Sequence, residues 1–547
     1  MLFRVTRYSG RVIGLSFLYV CSFSLITGLI LFGLTWKWFV VADLLRATCI
    51  SSTLLLPVFV FPKRWGKLWL CLLYLVLLLA SSLNLWHILI YDTPITTMAV
   101  QSILETTPAE GAEFVAEFFS VPFALLQLVL VALPLALLRK LFQSVEKKWQ
   151  ATASSLLATL AVGILGIVML FSCMKKGERL MGSHEAYAVY MAVVEHQGTM
   201  ARYSASDANL KTFTGISFVD SAGAPSTYVF VIGESANRNH LGVYGYFRDT
   251  TPKLHQRHKE LLFFPKIISG ATHTIPSLRK ILLLQGDETA SLIDLFNQAN
   301  FKTFWLSNQT VAAEGKYIGT SQIASRASVK VYKNMARDEG RSTQTDEVLL
   351  PELQKALHDP APNKVIFLHL LGSHLQYALR YPPSFGYFQD DKDIPKTPWR
   401  KGRATHYINA YDNSIRYTDH VLDQVIAMME KRPEQSFVLY FSDHGQEVYD
   451  IRPLRGQVEK NPTRNMLDVP FILWLSDAYR KSQWDFVRQL EMSVGRAFIM
   501  DNFTHSAAEL ARIRFDDWVP ALSLWNENFQ VQELRAPRGE LYEQLDR

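Results

Sequence analysis

The sequence predicts a two-part protein: an N-terminal five-helix transmembrane domain, then a C-terminal α/β sandwich on a mostly parallel sheet. Three observations predict it. Residues 1–173 are dominated by long apolar runs and 174–547 have ordinary globular composition, an asymmetry hidden in a mean hydropathy of +0.07. From Thr227 onward, short apolar stretches alternate with longer amphipathic ones. Acids and histidines recur directly after those apolar stretches.

Five runs are long enough to cross a bilayer, which takes roughly 20 helical residues. They are Val12–Thr35, Trp38–Phe61, Leu68–Ile90, Phe118–Leu138 and Ser154–Ser172. The first lacks a small-residue cleavage site and is followed by further spans, so it is an anchor and not a removed signal. Basic residues (Arg4, Arg7, Arg11; Lys63, Arg64, Lys67; Arg139, Lys140, Lys147, Lys148) flank one side. The loop between the third and fourth spans carries Asp92, Glu105, Glu110, Glu113 and Glu117. Positive charge stays inside, so this acidic loop and everything after the fifth span lie outside the cytoplasm. Asp43 and Arg46, three apart in the second span, read as a structural ion pair. The polar stretch Gln101–Glu110 reads, on spacing alone, as an interfacial loop.

The predicted domains are 1–173 (membrane), 174–226 (interfacial connector) and 227–547 (catalytic). In the connector, Ala186–Val194 is apolar enough for a short helix along the membrane surface, and Ser221–Ser226 has turn composition. The net charge of +6 is dispersed, without a basic block suited to nucleic acid. All cysteines (Cys21, Cys49, Cys71, Cys173) fall in or beside apolar runs, so neither disulfides nor thiolate metal sites are available to the soluble part.

In that part, Thr227–Ile232, Lys302–Leu306, Lys364–Leu370, Phe437–Phe441 and Val469–Leu475 read as buried strands. Thr345–His358 and Tyr407–Met429 read as helices. Such alternation implies a largely parallel sheet covered on both faces, with ligands at the carboxyl ends of the strands. There the chain places Gly233-Glu234-Ser235, Gly372-Ser373-His374 and Ser442-Asp443-His444-Gly445. Carboxylates with imidazole suit zinc, with manganese as the alternative. A nucleophile is offered by Ile268–Ile281, a loop entering a helix, with Thr274 at its cap and Pro276 in its first turn. A hydroxyl there gains from the helix dipole and from metal coordination.

These residues resemble the membrane phosphoethanolamine transferases of Gram-negative bacteria, in the alkaline phosphatase superfamily. The matching segments are Val231–Arg238, Gly245-Tyr246, Thr250-Thr251-Pro252, His369–His374, Tyr411-Asp412-Asn413, Tyr440–Tyr449 and Asn461–Arg464. Phe304–Gln309 and the cysteine-free domain are most similar to the branch acting on lipopolysaccharide core or periplasmic glucans. The resemblance implies an alkaline phosphatase/sulfatase-like fold and a multi-pass protein of the bacterial inner membrane with its catalytic domain in the periplasm. It implies zinc held by Glu234, Thr274, Asp443 and His444, with Thr274 becoming phosphoethanolaminated and Thr272 as the runner-up. His374 would contact the donor phosphate or a second zinc. Thr106, Thr107 and Glu110 would handle the lipid headgroup, and Asn308 would bind substrate.

The implied reaction moves phosphoethanolamine from phosphatidylethanolamine to a glycolipid or glycan: lipopolysaccharide core heptose first, lipid A or periplasmic glucan as alternatives. One departure stands out. No histidine lies between His444 and His505, and Asn465 occupies a place where some relatives have one. A second metal and the group that protonates the leaving lipid are thereby unassigned, with His273 and His374 as candidates. Three rival readings are weaker. A sulfatase needs a Cys or Ser to convert to formylglycine, which Thr274 cannot become. A glycerol-phosphate transferase shares fold and nucleophile but not these motifs. An inactive membrane scaffold is disfavoured by the intact Glu234, Thr274, Asp443 and His444.

Overall fold

Valine, isoleucine, leucine and aromatic residues crowd the predicted strands, and a strand buried on both faces can satisfy its backbone only by pairing on both edges. The computed structural model shows that outcome. It describes residues 15–16, 18–23, 54–55, 63–91, 95–106, 108–146, 185–208, 210–219, 225–309, 320–334 and 344–546. The C-terminal part is built on a seven-stranded sheet. Its strands are β1 (Ser226–Gly233), β2 (Leu261–Phe263), β3 (Lys302–Ser307), β4 (Val329–Tyr332), β5 (Asn363–His369), β6 (Gln435–Ser442) and β7 (Phe471–Leu475). They lie in the order β2-β7-β6-β1-β5-β3-β4.

The run β6-β1-β5-β3-β4 is parallel. β7, expected within a largely parallel sheet, pairs antiparallel with β6, and β2 antiparallel with β7. The register sets Ser442 opposite Gly233, Ile232 opposite His369 and Ser307 opposite His369, so the residues following four strands emerge along one edge.

Alternation along each strand divides the core. Phe230, Ile232, Phe367, Leu439 and Phe441 face one layer with the helices Thr274–Leu282, Leu292–Gln298 and Phe503–Leu510. Val229, Val231, Leu368, Val438 and Tyr440 face the other, with Leu350–Leu357 and Arg403–Glu430. The predicted helix Thr345–His358 is split into a 3-10 turn (Asp346–Leu349) and Leu350–Leu357. Pro351 is the cause: without an N–H it fits the first turn of a helix and not its interior. The helix expected at Tyr407–Met429 runs Arg403–Glu430.

Among the described N-terminal residues, two helices are long and apolar enough to span a membrane: α1 (Lys63–Tyr91) and a 26-residue helix, Val121–Glu146. Leu68, Leu72, Leu75 and Leu79 on the first, and Leu125 and Leu128 on the second, are exposed side chains that lipid would solvate. The other three predicted spans, including the Asp43–Arg46 pair, lie largely or wholly outside the described residues. Between the two helices run α2 (Thr97–Glu105) and α3 (Pro108–Phe118). The helix predicted at Ala186–Val194 extends over Glu185–Ala208. Two compact units emerge: 1–104 with 118–199, and 105–117 with 200–547. The segment 105–117 thus groups with the C-terminal fold.

Candidate metal centre

Parallel pairing delivers Glu234 just beyond β1 and Asp443 and His444 just beyond the adjacent β6. One ligand atom from each of the three falls within 4.8 Å of the others, and all three residues are buried. Several backbone features hold them. Ser235 takes a left-handed conformation (φ 58°) and its N–H donates to Asp443 Oδ1 at 3.0 Å, while its hydroxyl donates to Glu234 Oε1 at 2.6 Å. Gly372, at φ +52°, passes so close to Glu234 that a Cβ would stand 2.8 Å from that residue's backbone N and O. Gly445 is constrained by the Asn465 carbonyl, 2.1 Å from where a Cβ would sit. Neither glycine can carry a side chain without displacing the site.

Thr274 joins this cluster. It is the first residue of the helix Thr274–Leu282, and His273, in extended conformation, is the cap expected at Thr274. Relieved of capping, the Thr274 hydroxyl lies 3.2 Å from Glu234 Oε2 and 3.2 Å from His444 Nε2. Pro276 in the first turn lacks an N–H that would have no helical partner there anyway. Thr272, the alternative nucleophile, is fully buried and pairs with His273 Nδ1 at 2.9 Å.

The donor set suits a hard or borderline cation. His444 Nδ1 lies 2.8 Å from the Gly445 carbonyl, which can only accept, so Nδ1 carries a proton and Nε2 is the ring nitrogen turned to the acids. Asp443 Oδ2 is buried, carries no hydrogen bond and lies 3.4 Å from His444 Nε2. Such an orphaned carboxylate oxygen is costly unless a cation meets it. Burial, reinforced by Asp443, pushes the Glu234 carboxyl up. Burial works to lower the His444 imidazole, but the Asp443 and Glu234 charges outweigh it and raise it. Both shifts report excess negative charge in a dry site.

His374, half-buried in the turn after β5, is close enough for its charge to act on Glu234. Asn308 is committed to support: its amide donates to Asp346 Oδ1 (2.9 Å) and the Gln344 carbonyl. Asp346 in turn accepts the Leu371 and Gly372 N–H groups. Its neighbour Gln309, which carried no individual role in the sequence reading, reaches the site, donating to Glu234 Oε2 (3.4 Å) and the Leu370 carbonyl (2.8 Å). Thr106 is exposed between α2 and α3. Thr107 and the Glu110 side chain lie outside the described residues. His505, on the helix Phe503–Leu510, is packed against Phe515, where burial lowers it to about 4.

A mainly parallel sheet with an acid–histidine cluster and a helix-borne hydroxyl at its carboxyl edge defines an alkaline phosphatase-type enzyme. Comparison agrees: residues 226–513 match the Sulfatase family model and residues 48–193 match that of Phosphoethanolamine transferase EptA/EptB. Phosphoethanolamine transferase EptC of Escherichia coli (strain K12) is 30% identical over 88% of this chain and 86% of its own length. The C-terminal periplasmic domain of Escherichia coli EptC, in complex with Zn, superposes with TM-score 0.56 and 32% identity, over 59% of this chain and 92% of that one. The integral membrane lipooligosaccharide phosphoethanolamine transferase A of Neisseria meningitidis shares the fold across 94% of this chain and 98% of its own, with TM-score 0.69 and 19% identity. The chain belongs to the phosphoethanolamine transferase family.

Proposed function

We propose that this protein takes phosphoethanolamine from phosphatidylethanolamine onto Thr274 and passes it to a cell-envelope glycolipid, the lipopolysaccharide core. The reaction occurs at the periplasmic face of a bacterial inner membrane in which the chain is anchored by several spans. The observation that carries this reading is the Thr274 hydroxyl at 3.2 Å from both Glu234 Oε2 and His444 Nε2. That hydroxyl attacks phosphorus and sheds its proton towards Glu234; the phosphorus–oxygen bond to diacylglycerol breaks and diacylglycerol departs with a proton. An acceptor hydroxyl then displaces Thr274 from the phosphorus. His374 and the N-terminal end of the Thr274–Leu282 helix face the phosphate with positive potential.

The residues present fit zinc. Glu234, Asp443, His444 and Thr274 would hold it, and bound zinc supplies stabilisation of the alkoxide and of charge on the phosphoryl oxygens. The Zn complex of the Escherichia coli domain supports that choice. One site is proposed, since His505 is elsewhere and Asn465 is engaged with Asn239. Thr106, Thr107 and Glu110 are proposed for the donor headgroup from their place between two apolar helices. The core acceptor is supported by Phe304–Gln309 and by the absence of cysteine from 174–547.

The test is release of diacylglycerol from phosphatidylethanolamine by the full chain in detergent, with mass spectrometry of the protein and of surface glycolipids. Wild type is expected to carry a phosphoethanolamine-sized adduct on Thr274. Thr274→Ala is expected to lose the adduct and about 10³-fold or more of the transfer rate. Undiminished transfer by Thr274→Ala would overturn the reading.

A further inference from the structure

The outer-loop helix α3 carries two acids whose partners lie far away in sequence. Glu113 Oε2 pairs with Arg380 Nη2 at 2.8 Å, with side chains only 10% and 2% exposed. The Arg380 guanidinium also donates to the backbone carbonyls of His374 (3.3 Å) and Leu375 (2.8 Å). Gln376 Nε2 donates to the Glu113 carbonyl at 2.7 Å. One turn further along, Glu117 Oε1 pairs with Arg455 Nη1 at 2.8 Å, and that guanidinium lies 3.7 Å over the Tyr407 ring. Arg455 belongs to the strand Arg455–Gly456, paired with Glu447–Val448, which follows His444 directly. Tyr377 and Gln446 complete the join, with the Gln446 amide on the Tyr377 hydroxyl at 2.5 Å.

The two pairs therefore end on segments that follow the site's histidines: Arg380 in the turn after His374, and Arg455 on the strand paired with the one after His444. An ion pair out of water repays its desolvation only where geometry is good and further hydrogen bonds support it, and Arg380 donates three such bonds to the turn after β5. Phe119 and Ser120 are all that separate α3 from the apolar helix Val121–Glu146.

From this we infer that Glu113–Arg380 and Glu117–Arg455 form a clamp that positions the catalytic centre for a membrane-embedded phospholipid donor. The inference rests on the proposed transfer from phosphatidylethanolamine. None of the four residues touches the reacting atoms; each is a positioning residue. A clamp of this kind matters for a headgroup presented by a lipid surface and is dispensable for a donor that diffuses in from water.

The experiment compares two donors in the full chain: phosphatidylethanolamine in mixed micelles, and the water-soluble ester p-nitrophenyl phosphoethanolamine. Glu113→Gln/Glu117→Gln is expected to raise the KM for the lipid about tenfold or more. Its turnover of the soluble ester should stay within about twofold of wild type. Arg380→Glu should lower lipid transfer, and Glu113→Arg/Arg380→Glu should recover most of it. Amide hydrogen exchange over residues 108–117 gives a readout independent of the donor: protection should fall in the single reversal and return in the double.

Parallel loss on both donors, unchanged lipid KM, or a double reversal no better than the single would each overturn the clamp. So would an unprotected 108–117 segment in wild type. Should wild type cleave the soluble ester yet release no diacylglycerol, the donor assignment is what fails, and with it the lipid-positioning role. The exchange data then still decide whether the two pairs hold α3.

Discussion

Two buried clusters of acid and histidine sit in the same fold and have opposite electrostatics. At the sheet edge, Glu234 and Asp443 converge on His444 and Thr274, and among the described residues neither acid pairs with an arginine or lysine. In the neighbouring loop network, His240 lies between Asp412 (2.7 Å) and Asp450 (3.0 Å). Asp412 also takes Arg248 at 2.8 Å and Tyr246, Asp450 takes Arg400 at 2.6 Å, and Asp393 takes Arg248 at 2.6 Å. Every oxygen of Asp412 and Asp450 is used, and the acids there are matched by cations. Burial and the presence of histidine do not separate a metal centre from a structural lock. What separates them is the balance of charge and whether a carboxylate oxygen is left over, as Asp443 Oδ2 is.

The comparison breaks or holds on removal of one acid from each cluster. Asp412→Asn removes the buried carboxylate that His240, Arg248 and Tyr246 share and is expected to cost about 3–5 kcal/mol. Glu234→Gln in zinc-free protein relieves repulsion between two buried acids and should leave stability within about 1 kcal/mol of wild type. Thermal melts with and without zinc check both. Zinc should raise the midpoint of wild type and of Asp412→Asn but not that of Glu234→Gln. Equal destabilisation by the two substitutions would show that the sheet-edge cluster is itself a lock.

A smaller effect comes from His240. Burial works to lower it, but the charges of Asp450 and Asp412 outweigh that and raise it to about 10. A folded value above the unfolded one means a stabilising contribution complete below about pH 6.5 and lost as pH rises through about 10. Wild type should therefore lose on the order of 3 kcal/mol more than His240→Gln between pH 7 and pH 10. Urea unfolding at several pH values measures it. Parallel curves would show that His240 is neutral in the fold.

Legibility in the sequence followed length scale. The five buried strands and Glu234, Asp443 and His444 are readable because an apolar run fixes each strand and the site residues follow it immediately. Parallel pairing does the rest by aligning strand ends. The edge strands Leu261–Phe263 and Val329–Tyr332 are short and partly exposed, so they lack that pattern. The cap falls one residue before the expected Thr274 because His273 makes no side-chain cap bond that its residue type would signal. Gln309 and Ser235 were visible within motifs, yet their aim at Glu234 depends on turn geometry. Glu113 and Arg380 are 267 positions apart, a separation at which periodicity says nothing. Burial and pairing emerge only when the fold brings them together.

The smallest expected effect concerns Asn465, where some relatives have histidine. If the sheet-edge cluster is complete with Glu234, Asp443, His444 and Thr274, restoring a histidine should add little. The Asn465 side chain accepts from Asn239 Nδ2 at 2.9 Å, and Asn239 also reaches Asp468 Oδ2 at 2.9 Å. A histidine Nδ1 can take over the first of these bonds, at a cost of about 1 kcal/mol for altered geometry. Its ring nitrogen would then be spent on Asn239 and not on a cation. Asn465→His is therefore expected to keep about one zinc per chain by elemental analysis and transfer within about threefold of wild type. A second equivalent of zinc in that variant would mean the cluster had been one imidazole short, and the charge balance drawn between the two clusters would have to count a further ion.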